Sequence, residues 1–269
     1  MTLIQALVLG IVQGLTEFLP ISSSAHLVLV PHTLGWQFDS EQAFVFNILV
    51  QWGTLLAVVV YFWGDLLPIG IGMLRSLKPG VGVNPHGRLG WLLILATLPA
   101  IAAGWYFHDA VEAAFSSPRA TAVFLLGTAV LLVLAEQVGS RKRGIENISA
   151  GNAVLIGVFQ ALSLLPGISR SGATISGGML AHLGRPAAAR FSFLMSVPVM
   201  FGAGVLALWN LTRLPQGSNF VMLVLAGFLV SALVGYLAIR GLLAYLSNHS
   251  LYPFAIYCTA LALLTLFVF

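Results

Sequence analysis

Residues 13–26, from Gln13 to His26, read QGLTEFLPISSSAH, and the rest of the chain is organised around them. A carboxylate (Glu17), Pro20, three consecutive serines (Ser22, Ser23, Ser24) and an imidazole follow an apolar run, Leu3 to Val12, whose only strongly polar side chain is Gln5. A charged side chain at membrane depth costs roughly 2.5–3.5 kcal/mol on insertion scales, so such groups face protein or water and carry function. Capping a new helix after Pro20 needs one serine, and explains neither Glu17 nor His26. The stretch from Thr2 to Phe18 is at the short limit for a membrane span, and apolar Leu27 to Val30 follows before Pro31. A re-entrant helix-loop-helix is therefore expected, with irregular backbone tolerated only where it is buried in protein or lines a cavity.

Outward from this stretch the chain is apolar. Of 269 residues 59% are hydrophobic and 7% charged, against about 25% charged in an ordinary soluble domain. Mean hydropathy is +0.98, so an all-α polytopic membrane protein is expected. The formal charge is +4, but the basic residues sit in short clusters between apolar runs, which reports membrane orientation and argues against nucleic acid as a partner. The single cysteine, Cys258, lies in an apolar run and excludes an intrachain disulfide and a thiolate metal site. Met1 leads into hydrophobic sequence without a basic n-region, so the first segment is expected to belong to the mature protein.

Six full spans are expected: Phe44 to Trp63, Leu89 to Phe107, Thr121 to Val138, Phe191 to Leu211, Phe220 to Ile239 and Leu251 to Phe269. Pro99 and Pro198 should kink the second and fourth. A second interrupted segment, Asn147 to Arg185, carries Pro166 and a serine- and glycine-rich centre. The clusters Arg75, Lys78, Arg88 and Arg141, Lys142, Arg143 lie two spans apart and are expected on the cytoplasmic side, with Arg185, Arg190 and Arg240 in agreement. Both termini are then external, as is the connection with His108, Asp109 and Glu112, which reads better as a solvated loop than as a metal cluster. His182 reads as interfacial.

The two interrupted segments resemble one another. Ala6 to Thr16, ALVLGIVQGLT, aligns without a gap with Ala153 to Ser163, AVLIGVFQALS, so that Gln13 meets Gln160. After one-residue adjustments Leu19-Pro20 meets Leu165-Pro166, Ile21 to Ser24 meets Ile168 to Ser171, and Phe44 and Phe46 lie over Phe191 and Phe193. Each half holds one broken segment and three spans, and an odd number of crossings turns the halves over. The expectation is a single membrane domain, residues 1–269, built as an inverted-topology repeat (about 1–145 and 146–269) with its site where the broken segments meet near the midplane.

The second segment reads SLLPGISRSGATISGG from Ser163 to Gly178. Its glycines allow close approach to a ligand, Ser169, Ser171 and Thr174 offer hydroxyls, and Arg170 offers a rigid fork of donors suited to phosphate. A helix starting near Ser171 would add backbone N–H groups and a positive dipole end. Small residues can also serve helix packing, the simpler account of Gly177 and Gly178, but packing does not explain a central arginine. Opposite Arg170 the repeat sets Glu17, Ser23 and His26, with Ser22 beside them. A group to neutralise phosphoryl charge, one to attack or position water and one to move protons make the minimum for cleaving a phosphoanhydride. Glu17 can also hold Mg2+ or Ca2+ bridging two phosphates, with Gln13, one turn earlier on the same face, in the shell. Asn47 and Gln51, one turn apart on the first span, line the site or pack across helices.

EFLPISSSAH with Gln13 four residues before Glu17, together with PGISRSGATISGG, resembles the bacterial undecaprenyl-diphosphatase family, the bacitracin-resistance type of integral-membrane phosphatase. The resemblance covers essentially the whole chain. It implies dephosphorylation of undecaprenyl diphosphate to the monophosphate lipid carrier of cell-wall (peptidoglycan) synthesis. It also implies a divalent cation and a site reached from the outer face of the bacterial cytoplasmic membrane. Carried over by position, the family's acidic pair falls on Gln13 and Glu17, its serine and histidine on Ser23 and His26, and its phosphate-binding arginine on Arg170, flanked by Ser169, Ser171 and Thr174. Gln13 leaves Glu17 as the sole carboxylate of its helix, and Ala25 stands where glycine often precedes the histidine. The nucleophile is Ser23, with His26 relaying the proton, or His26 itself, or water. The prenyl tail is expected in an apolar groove open to lipid. An anion or lipid-phosphate transporter on the same inverted repeat is the competing class, though a nucleophile with a proton relay is superfluous to transport. Small residues on several spans permit a homodimer.

Overall fold

The computed structural model describes residues 1–80, 82–107, 117–211 and 218–268. His108, Asp109 and Glu112 lie outside the described residues. The chain is all-helical, with no strand among the described residues. Its helices are α1 (Leu3–Thr16), α2 (Ser23–Thr33), α3 (Ser40–Tyr61), α4 (Trp63–Ser76), α5 (Pro85–Tyr106), α6 (Pro118–Val138), α7 (Ala150–Leu162), α8 (Arg170–Leu180), α9 (Arg185–Leu211), α10 (Ser218–Leu246) and α11 (Tyr252–Val268). Local chemistry sets several of the starts. Thr2 and Ser149 form capping boxes with Gln5 and Asn152, while Asn84 and Ser117 cap helices whose first residue is proline.

Among the described residues four helical stretches are long and apolar enough to cross a membrane: Gln42–Tyr61, Pro85–Tyr106, Pro118–Val138 and Phe220–Leu246. These coincide with four of the six expected spans. The expected span from Phe44 to Trp63 stops early, because Phe62 breaks the helix and α4 begins at Trp63, a helix that the sequence reading did not separate from its loop. Pro99 and Pro198 lie inside α5 and α9.

Without water to squeeze out between them, helices in a bilayer associate through close packing, which small residues permit. A Cβ on Gly10 would stand 2.6 Å from the Gly227 carbonyl oxygen, so α1 and α10 touch backbone to backbone there, and Gly53 brings α3 against the Phe228 carbonyl in the same way. In the second half a Cβ on Gly157 would stand 2.4 Å from the Ala96 carbonyl oxygen, joining α7 to α5. Gly10 and Gly157 are partners in the aligned repeat. The largest core cluster, which includes Phe18, Phe62, Leu125, Phe191 and Phe193, surrounds the two interrupted segments, with Phe18 edge-on to Phe193 at 5.2 Å between ring centres.

One end of α6 is a polar junction. The buried Glu136 carboxylate accepts from Arg141 at 3.1 Å, from Arg185 at the start of α9, and from the Leu251 backbone N–H at 2.8 Å just before α11. Removing the carboxylate strands a buried N–H and two guanidinium groups that retain partial access to water. Glu136→Ala is expected to destabilise the fold by about 2–3 kcal/mol, seen as a lower midpoint of thermal unfolding in detergent.

Candidate active site

Each interrupted segment is a helix, a short loop and a second helix capped by serine. In the first, α1 gives way at Glu17 and α2 starts at Ser23, with the Ser22 hydroxyl accepting from the Ala25 N–H at 3.3 Å. In the second, α7 ends at Leu162 and α8 starts at Arg170, with Ser169 accepting from the Gly172 N–H at 3.0 Å. Ser23 and Arg170 are thus each the first residue of a helix, at the end where unpaired N–H groups and the positive dipole end concentrate.

The loop conformations follow from particular residues. Ser22 takes φ 70°, and its carbonyl oxygen is turned toward His26, whose Nδ1 stands 2.7 Å away. The departure at Ala25 does no harm, because Ala25 lies inside α2 and the positive φ falls on Ser22. Gly167 has φ +104°, and a Cβ there would lie 2.2 Å from the Thr121 carbonyl oxygen, so only glycine fits. Thr128 of α6 holds this second loop on both sides, donating to the Gly167 carbonyl at 2.9 Å and accepting from the Ser169 N–H at 2.9 Å.

The two loops meet at Glu17. One carboxylate oxygen accepts from Gln13 Nε2 at 2.8 Å and from the Ser23 hydroxyl at 2.6 Å, and the other accepts from Arg170 Nη2 at 2.8 Å. The Ser171 hydroxyl donates to the Leu19 carbonyl at 3.1 Å, a second tie between the segments. Glu17 is almost fully buried, and the Arg170 side chain is 13% exposed. Arg170 Nε and Nη1 are buried without a hydrogen-bond partner among the described residues. Buried guanidinium donors are costly to leave unmade, and two of them beside two helix N-termini are groups whose chemistry suits an anion.

The geometry thus joins Gln13, Glu17, Ser23 and Arg170. Ser22 and Ser169 use their hydroxyls as caps, Ser22 also bonding Ser24 and Ser169 bonding Ser171, each at 3.1 Å. Thr174 turns away, its hydroxyl engaged by the Arg170 carbonyl and by Ser192 of α9. Asn47 and Gln51 are half-buried on α3 and make no side-chain hydrogen bond to these groups among the described residues. His26 bonds to neither Ser23 nor Glu17; its Nε2 lies 2.7 Å from the hydroxyl of Tyr257 on α11. Tyr257 and Thr128 gave no sequence signal, since nothing in an apolar helix marks which hydroxyl meets a distant loop. Gln160 did leave one, by aligning with Gln13. It is buried, and both its side-chain amide atoms lack hydrogen-bond partners among the described residues.

A divalent cation suits this donor set. Glu17 offers hard oxygens with Gln13 alongside, and the described residues hold no group of three His, Cys, Asp or Glu. One carboxylate completed by phosphate oxygens is a usual way to hold Mg2+.

Helices too apolar for water, interrupted twice so that two N-termini, an arginine and a carboxylate converge, define a polytopic membrane protein with a polar cluster in its interior. Residues 6–264 match the family described as Bacitracin resistance protein BacA, and the chain belongs to that family. It is similar to proteins named undecaprenyl-diphosphatase. That of Rubrobacter xylanophilus is 45% identical, with 97% of this chain and 96% of the relative covered. Those of Chlorobium phaeovibrioides and Moorella thermoacetica are 42% and 41% identical, covering 96% and 100% of this chain and 93% and 98% of the relatives.

Proposed function

We propose that this protein hydrolyses undecaprenyl diphosphate to undecaprenyl phosphate and inorganic phosphate, returning the lipid carrier to cell-wall synthesis and thereby conferring bacitracin resistance. The observation that carries the chemistry is the meeting of Ser23 and Arg170 on Glu17, with two Arg170 donors left for phosphoryl oxygens. Ser23 donates its proton to Glu17, which leaves its oxygen lone pairs available to the terminal phosphorus. As the Ser23 Oγ–P bond forms, Glu17 takes the proton and the bond to the bridging oxygen breaks, so undecaprenyl phosphate leaves. Water then attacks the phosphoserine phosphorus, Glu17 returns its proton to the departing Ser23 oxygen, and phosphate leaves with the water's oxygen, restoring hydroxyl and carboxylate. Arg170 Nε and Nη1 and the N-termini of α2 and α8 bind the charge that builds on the phosphoryl oxygens. Glu17, with Gln13 beside it, would hold Mg2+ or Ca2+, which would supply positive charge to the diphosphate.

The architecture is six spans and two re-entrant segments in one membrane domain, its halves about residues 1–145 and 146–269 in opposite orientation. The matched close contacts at Gly10 and Gly157 support this arrangement. The protein sits in the bacterial cytoplasmic membrane with both termini outside and the site reached from the outer face, a reading supported by the basic clusters at residues 75–88 and 141–143. The prenyl chain lies along lipid-facing apolar surface; a groove of about 430 Å³ that includes Leu15, Leu19, Leu237 and Phe254 supports a lipid ligand at the first interrupted segment.

The test is phosphate release from a long-chain polyprenyl diphosphate by purified protein in detergent, with Mg2+ or Ca2+ and then with chelator. Release is expected to need the metal. Glu17→Gln keeps the size of the side chain but cannot take a proton, and is expected to cut turnover by about 100-fold. Binding of the lipid without release, together with flux in proteoliposomes, would instead indicate a transporter.

A further inference from the structure

His26 is the one ionisable group near the site whose two ring nitrogens are both engaged away from Glu17. Nδ1 stands 2.7 Å from the Ser22 carbonyl oxygen. A carbonyl only accepts, so Nδ1 carries the hydrogen. In the neutral ring Nε2 is then the bare nitrogen, and its partner at 2.7 Å, the Tyr257 hydroxyl, is the donor. The two rings are nearly parallel, 7° apart with centres 5.7 Å apart, which keeps the phenol oxygen in line with the imidazole edge. Next to Tyr257, the Cys258 thiol reaches the Pro20 carbonyl at 3.6 Å, so α11 holds the first loop at two points, one on each side of the serines. His26 is 8% exposed and Tyr257 43%, so the pair runs from the interior to the surface of α11.

We propose that Tyr257 is a positioning residue for the hydrolysis, acting through His26: with the Nδ1–H tautomer set by the Ser22 carbonyl, its hydroxyl donates to the bare Nε2, holds the ring in place and is the group through which Nε2 exchanges protons. The proposal rests on the phosphatase reading and on His26 taking part in proton transfer. The exchange balances within the pair. When an incoming water or leaving phosphate delivers a proton to the phenol oxygen, the phenol passes its own to Nε2, giving imidazolium and an unchanged tyrosine; the reverse sequence returns it. No charge develops on the phenol, and Nδ1–H stays on the Ser22 carbonyl throughout. A tyrosine serving only as apolar packing would need no donor, and phenylalanine would replace it.

The test uses the full-length protein in detergent and the variants Tyr257→Phe, His26→Gln and both together. Tyr257→Phe is expected to lower kcat about tenfold with KM within twofold, and to add no further loss once His26 is glutamine. Nitrogen-15 spectra of histidine-labelled protein, with the His26 signals identified by their loss in His26→Gln, are expected to show protonated Nδ1 in both the parent and Tyr257→Phe, with the Nε2 signal shifted in Tyr257→Phe because its hydrogen bond is lost. Unchanged kcat in Tyr257→Phe, an equal loss in the His26→Gln background, or a parent ring protonated on Nε2 alone would each overturn the proposal. Absence of phosphate release from the parent protein would sink the phosphatase reading, whereas the spectra judge the His26–Tyr257 pairing without any turnover.

Discussion

Arg170→Ala is expected to lower phosphate release from a polyprenyl diphosphate by about 1,000-fold or more, the range in which an arginine facing a transferred phosphoryl group usually acts. The reason lies in its place in the fold. Arg170 is the first residue of α8, its backbone set by the Ser169 cap and the Thr128 tether, so the guanidinium is held rather than searching. One of its nitrogens is held by Glu17, while Nε and Nη1 have no hydrogen-bond partner among the described residues. Alanine also leaves Glu17 buried without its cation, so a loss of activity alone is open to a folding explanation. Arg170→Lys answers this: the charge beside Glu17 is kept, the planar fork is lost, and turnover is still expected to fall by about 100-fold while the unfolding midpoint stays near that of the parent. Full turnover in either variant would contradict the proposed phosphate site.

Ser23→Ala is expected to cost about 1,000-fold or more in kcat for a different reason. Arg170 acts by holding charge, whereas Ser23 forms the bond. The substitution is mild structurally: alanine is at ease at the first position of α2, the cap is made by Ser22, and Glu17 keeps its bonds to Gln13 and Arg170. Substrate affinity is therefore expected to remain near that of the parent, so a loss confined to kcat separates attack from binding. Were Ser23 only to orient water, alanine would leave a rate within about tenfold, and the covalent step proposed here would be wrong.

How far the sequence spoke depended on the range of the interaction. Gln13 and Glu17 are four apart, and helix geometry alone puts them on one face, where they bond. The helix breaks at Pro20 and Pro166 and the serines that restart each helix were equally local, which is why the places of Ser23 and Arg170 could be reasoned out. Thr174 was misleading for a similarly local reason. One turn into α8, its hydroxyl folds back onto the Arg170 carbonyl, as threonine in a helix commonly does. What stayed hidden depended on packing between distant parts. The Tyr257 hydroxyl finds His26 across 231 positions of sequence, and tyrosine in an apolar helix looks like an interfacial residue. Glu136 at the end of α6 reads as an ordinary solvated terminus until α9 and the start of α11 are laid against it. The separation of α4 from α3 at Phe62 has no proline or glycine to announce it.

That junction at Glu136 has a mechanical consequence. It lies eight residues, or about 12 Å, along α6 from Thr128, which secures the phosphate-side loop. Beginning or ending beside one carboxylate, α6, α9 and α11 are tied together at that end. A tilt of these helices would therefore pivot about Glu136, and Tyr257, in the first turns of α11 beyond the Leu251 tie, lies close to that pivot, so the His26–Tyr257 contact would be spared the larger movement of the helix's far end.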